Sequence, residues 1–177
     1  MGIEGNELLS QQRETLLKAS GAPDDFIIPY NAAMNKAQKL VLESDNQELF
    51  KTKLTELFLG TSLAGQENAI TTQLFNPETK SIIAFDPQPY LEKITCPVLA
   101  LNGEKDLQIP AESNLTAIKE TISSNGNKTV RTKIYSGLNH LFQTAKTGLP
   151  VEYGQIEETI NPEVLSDIVQ WIVSAGE

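Results

Sequence analysis

A single cysteine among 177 residues, Cys96, leaves no way to close an internal disulfide. Its place at the head of an apolar run reads as a buried structural thiol. Basic residues are in the minority: 14 Lys and Arg against 23 Asp and Glu give a net charge of −9. That balance, with no Lys/Arg cluster anywhere, excludes a nucleic-acid partner and a basic membrane-binding patch. No apolar run is long enough to cross a bilayer. The opening Met1-Gly2-Ile3-Glu4-Gly5-Asn6-Glu7 lacks the charged-then-apolar order of a secretory signal, and no Ser or Thr follows Gly2 where myristoylation needs one. These absences point to a soluble, cytoplasmic chain; an export signal of a longer parent would lie at that parent's own N-terminus. Histidine is nearly missing too, with His140 alone. The acidic residues Glu152, Glu157 and Glu158 have no His or Cys at ligand spacing, so neither a metal nor a cofactor is expected.

What is present is an ordinary globular composition, 40% hydrophobic and 21% charged, whose rhythm changes half-way along. Residues 6–20, the stretch from a break at 22–25 to about 43, 46–58 and 65–75 carry apolar residues at helical spacing: Leu8, Leu9, Leu16 and Leu17, then Tyr30, Met34, Ala37, Leu40 and Val41, then Leu49, Phe50, Leu54, Leu57 and Phe58, then Ala69, Ile70 and Leu74. Gly21 is placed to end the first of these, and Pro29 falls near the first turn of the second. Asn76-Pro77 stops the series, the next ten residues show no clear period, and Asp86-Pro87-Gln88-Pro89 reads as a stiff joint. Beyond it come a buried strand at 98–101, a helix at 111–124, a second strand at 129–135, and a helix opened by Asn161-Pro162. The strongly apolar last helix should lie on a sheet. The β-α-β order makes the two strands parallel. Two parallel strands are too few to stand alone, so the pattern reads as part of a larger sheet.

The first strand stops in what reads as a tight Asn102-Gly103 turn that delivers Asp106, and the second is followed by Ser136-Gly137-Leu138-Asn139-His140. Functional groups gather beyond the C-terminal ends of parallel strands, so Asp106 and His140 can converge there. An Asp that orients a histidine acting as general base is two-thirds of a nucleophilic triad. On spacing alone a structural histidine and ordinary turn chemistry are the commoner readings. Glu104 and Lys105, beside the acid, read as solvated charges, with positioning of Asp106 as the alternative.

Residues 96–106 (Cys-Pro-Val-Leu-Ala-Leu-Asn-Gly-Glu-Lys-Asp), 137–143 (Gly-Leu-Asn-His-Leu-Phe-Gln), 147–160 and the Trp171-Ile172 pair together resemble the C-terminal end of α/β-hydrolase-fold acyl esterases related to serine aminopeptidases. The helical first part resembles that family's cap more loosely. The resemblance implies an α/β fold: a partial α/β-hydrolase, with a helical cap subdomain over residues 1–85 and a β-α-β-α unit with two parallel strands over 86–177. It implies Asp106 as triad acid, His140 as triad base, and a small acyl ester as substrate of the intact enzyme. It also requires a serine in a Gly-x-Ser-x-Gly elbow earlier in the chain. These 177 residues contain no such motif. The nearest string, Gly60-Thr61-Ser62-Leu63-Ala64-Gly65, has Ala in place of the second Gly and follows a helix, not a strand. The reading is therefore a truncated serine hydrolase, inert alone. The alternatives are a non-enzymatic module that homo-oligomerises through its exposed strand edge, and a subunit whose partner chain supplies the serine half.

Overall fold

A computed structural model describes residues 1–175. The chain forms two compact units, Glu4–Asp86 and a second that joins Met1–Ile3 to the chain from Pro87 onward. In the first unit, α1 (Gly5–Ala19) closes where Gly21 turns left-handed at φ +84°. The Gly21 N–H then reaches the Lys18 carbonyl and that of Ala22 reaches Leu17, so terminal carbonyls are satisfied. α2 (Asp24–Leu42) opens on Asp24 and Asp25, whose charges suit the positive end of a helix. Pro29 accordingly sits in the second turn and not the first, where it removes one bond to the Asp25 carbonyl.

α3 (Gln47–Phe58) is capped by Asn46, whose side chain accepts from the Leu49 N–H, and α4 (Glu67–Leu74) follows a turn of residues 59–66. A fifth helix, α5 (Pro77–Ala84), occupies the stretch that shows no period in sequence. Eight residues are too few for periodicity to register; its signal is Asn76 capping Glu78 and Thr79, with Pro77 at the first helical position. Phe50, Leu54 and Phe58 of α3 pack with Met34, Ala37 and Val41 of α2 and with Leu63, Ile70, Leu74 and Ile83 to form this unit's core.

The second unit begins with a short helix, α6 (Gln88–Leu91), so the expected stiff joint is already helical at Gln88. β1 (Val98–Gly103) runs parallel to β2 (Val130–Tyr135), in register from Val98 opposite Val130 to Gly103 opposite Tyr135. α7 (Ala111–Ser124) is the crossover between them. Three sequence expectations need correction. β1 runs through Asn102 and Gly103, so those residues end the strand and do not form the turn. Its residues 98–101 are only half-buried, because the described sheet has two strands and β1 has one neighbour. Cys96, just before it, is exposed for the same reason.

The last helix, α8 (Pro162–Ala175), is strongly apolar but covers less than its composition promises. Val164 is fully buried among Tyr135 and Leu138, whereas Leu165, Val169, Ile172 and Val173 are exposed, between 47% and 62%. Among the described residues no helix is long and apolar enough to cross a membrane.

In the helical unit, Phe50 is fully buried, so Phe50→Ala removes an aromatic ring from a closed core. The expected loss is about 3–5 kcal/mol of unfolding free energy, read from urea titrations of wild type and variant.

Candidate active site

The ends of the two strands are stitched together beyond the sheet. The N–H of Glu104 donates to the Tyr135 carbonyl (2.9 Å) and that of Lys105 to Leu138 (2.8 Å), so the parallel ladder continues into the connecting segments. Gly103 allows this closeness. A Cβ there would come within 2.3 Å of the Leu138 carbonyl oxygen and 2.6 Å of that of Asn139. Its φ is not positive, so glycine is needed for space and not for conformation.

Asp106 follows directly, 5% exposed. One carboxylate oxygen, Oδ1, accepts the backbone N–H groups of Gln108 (2.9 Å) and Ile109 (2.8 Å). The other, Oδ2, lies 2.9 Å from Nδ1 of His140. Asn102 ties the same loop from the strand side, its amide donating to the Ile109 carbonyl. The carboxylate is thus fixed through one oxygen and offers the second to the imidazole.

His140 rides on a small loop after β2. Gly137, at φ +76°, starts the loop, and Leu138 pairs antiparallel with Thr144 across its base. Asn139 is fully buried inside. Its side-chain oxygen accepts from the Leu141 and Gln143 N–H groups, and its amide donates to the Gln143 side chain. These bonds hold the turn in which Phe142 takes a positive φ of 57°. The imidazole is held at Nδ1, and its Nε2 has no hydrogen-bond partner among the described residues. The bond to Asp106 raises the His140 pKa above its ordinary 6.5; burial opposes this, and the negative charge of Asp106 adds to it. Tyr153 stands nearby, its phenol oxygen accepting from the Gln108 amide at 3.1 Å. Burial is the main reason its own pKa is raised.

Beside the pair lies a concavity of about 290 Å³, walled by Leu101, Ile109, Leu115, Ile118 and Phe142, with Asp106 and His140 among its lining. A larger hollow of about 610 Å³ between α7 and β2 contains neither residue of the pair. The structure therefore brings together the two side chains singled out in sequence. It sets a carboxylate against one ring nitrogen of an imidazole, an arrangement that can leave the other nitrogen as a proton acceptor.

A family model, the dienelactone hydrolase family, matches residues 70–174, which include both Asp106 and His140. The chain belongs to this family, whose members share the α/β-hydrolase fold. No curated protein and no solved structure matches the chain. Membership makes a hydrolase-type chemistry the ground on which the pair is read.

Other residues land differently from their sequence reading. Glu104 and Lys105 are not merely solvated. Glu104 accepts from the Ser136 hydroxyl (2.7 Å) and the Gly137 N–H (2.8 Å), and these bonds lower its pKa. Lys105 donates to the carbonyls of Ala145 (2.7 Å) and Lys146 (2.9 Å). Glu152 and Glu158 hold loop amides, those of Thr147 with Gly148 and of Thr144 respectively. Ser62 lies in the turn after α3, in the helical unit. Spacing carried no signal for the buried tether of Asn139 or the close approach at Gly103, because both depend on chain segments more than 30 residues apart meeting or on a loop folding on itself.

His140 is the only histidine, so its ring protons report one titration without assignment. Wild type should titrate above 6.5, and Asp106→Asn should bring the midpoint to 6.5 or below, since burial then acts unopposed. The sign for stability follows. A raised histidine pKa stabilises the fold below the unfolded value of 6.5 and is lost as pH rises through the folded value. Proton NMR titration of the ring, with urea unfolding on either side of that window, checks both; equal midpoints in the two proteins would refute the pairing.

Proposed function

We propose that this chain carries the acid and base of a serine hydrolase of the carboxylic-ester type, with Asp106 orienting His140 and His140 deprotonating a serine that lies outside these residues. The observation that carries the reading is the divided carboxylate of Asp106, one oxygen on backbone amides and the other on His140 Nδ1, with Nε2 left open. In the completed site His140 would take the serine proton as the acyl carbon is attacked and return it to the leaving group, and Asp106 would steady the imidazolium. Neither a Gly-x-Ser-x-Gly elbow nor the oxyanion donors that accompany it are found in this sequence, so the chain by itself is inert.

The two edges of the sheet support a place for the missing half. β2, Val-Arg-Thr-Lys-Ile-Tyr, carries Arg131, a charge of the kind exposed edge strands hold, and Lys133, which is paired with Glu163 and Asp167 of α8. β1, Val-Leu-Ala-Leu-Asn-Gly, has no charge and no proline. By composition β2 is a true edge and β1 an inner strand, so the nucleophile-bearing segment would pair along the free edge of β1, whether it precedes this chain or comes from a partner subunit. The DNA upstream of Met1 distinguishes these two: a continuous frame with six strands and the elbow, or a separate one.

A second reading rests on the same edge together with the exposed apolar residues of α8. A second copy of the chain covers them, giving a non-enzymatic oligomer.

Treated with a fluorophosphonate probe and p-nitrophenyl acetate, the 177-residue chain should show no labelled serine and no turnover above a His140→Ala control. Covalent labelling at any serine would sink the first reading. Light scattering across a concentration series separates the second, which a folded monomer at high concentration rules out.

A further inference from the structure

Asp106 is the last of three consecutive residues whose side chains reach one loop at three points. Glu104 reaches residues 136–137, Lys105 reaches 145–146, and Asp106 reaches His140 between them. The bonds of Asn139 are internal to the loop and fix its shape. Those of Glu104, Lys105 and Asp106 cross from the acid's own segment to the base's, and fix where the loop sits.

The two outer clamps are not equivalent. At the near end the loop is already tied by the Glu104 and Lys105 backbone N–H groups, bonded to Tyr135 and Leu138, and by the contact at Gly103. The side chain of Glu104 repeats a connection that the backbone makes. At the far end, the Lys105 ammonium holds the Ala145 and Lys146 carbonyls to the acid's segment. The neighbouring Gly148, at φ +81°, packs so closely that a Cβ would come within 2.1 Å of the Lys105 carbonyl oxygen. Both carbonyls are neutral acceptors and Lys105 has no ion pair among the described residues, so its charge is directed at the loop backbone.

We propose that Lys105 is a positioning residue, which holds the far end of the 136–146 loop and so sets His140 on Asp106, with Glu104 a redundant clamp. The proposal rests on the reading of Asp106 and His140 as acid and base. Base and acid must meet within a fraction of an ångström for the imidazole to be held in one tautomer and direction. The loop is closed on itself by the Ala145 N–H to Gly137 and tied to residues 158–161 through Thr144 and Phe142, and Lys105 is the side chain that joins its far end to the acid's own segment.

The His140 ring titration reads this directly and needs no nucleophile. Lys105→Met should lower the midpoint by at least half the drop that Asp106→Asn produces, Lys105→Arg, which keeps two donors, should restore most of it, and Glu104→Gln should leave it near wild type. A lower melting temperature for Lys105→Met with the His140 midpoint unchanged would overturn the proposal, because a merely structural lysine lowers stability without moving the imidazole. If Lys105→Met does not fold, Lys105→Gln is read in the same way. Failure of both to fold while Glu104→Gln folds would equally overturn it, by making Lys105 a residue of global stability. A null result here leaves the assignment of acid and base standing, and serine labelling by the fluorophosphonate sinks that assignment without touching the loop geometry.

Discussion

Withdrawing a carboxylate from water is costly unless its oxygens are hydrogen-bonded, and Asp106 is almost wholly withdrawn. The α/β unit meets that cost by dividing the group. Oδ1 takes two backbone amides from the residues just after it, which shapes the loop leading into α7, and Oδ2 takes the imidazole, which anchors the loop after β2. A group that fixes two loops at once cannot be moved without moving both. That is a structural reason for the pair to be rigid before any substrate arrives, and preorganisation of this kind is what general-base chemistry needs.

The surroundings serve the same constraint at longer range. Parallel pairing of β1 with β2 brings residues 103 and 135 side by side, so both loops leave the sheet at one end. Gly103 then permits the carbonyls of Leu138 and Asn139 to approach where any side chain would hold them off. Asn139 gives the second loop its internal shape, at the cost of a left-handed Phe142. Each of these features fixes a different degree of freedom: direction, distance or shape. The dienelactone hydrolase match spans all of them.

How much of this could be read from sequence depends on where the information lies. α7 was legible to the residue at both ends, because Pro110 before it and Asn125-Gly126 after it are local punctuation. Asp106 and His140 were legible as candidates because each follows a strand, and the motif resemblance joined them. The end of β1 was misread, since Asn-Gly is a turn signal when judged locally. Here the glycine answers to the carbonyls of residues 138 and 139, about 35 residues away, and nothing in its neighbours says so. Glu104 and Lys105 looked like surface charges for a similar reason: their partners are backbone groups 32 to 41 positions on. α5 was missed because an eight-residue helix has too few turns to show a stripe. The burial of Cys96 and β1 was overestimated because an apolar run announces what it would cover in a full sheet, not what this two-stranded one supplies.

That last discrepancy bears on function as well as on fold. β1 is half-buried and uncharged, and α8 leaves Leu165, Val169, Ile172 and Val173 in solvent at spacings that put them on one stripe. Scattered exposed apolar residues are ordinary, but an uncharged open strand edge and an apolar helix stripe in the same small unit are costly to leave wet. Lys133 of β2 is paired with Glu163 and Asp167 of α8 and Arg131 is a further charge on the strand, whereas β1 carries none. On the proposed reading, in which Asp106 and His140 serve a serine from outside these residues, a length of sheet bearing that serine would cover the uncharged edge of β1.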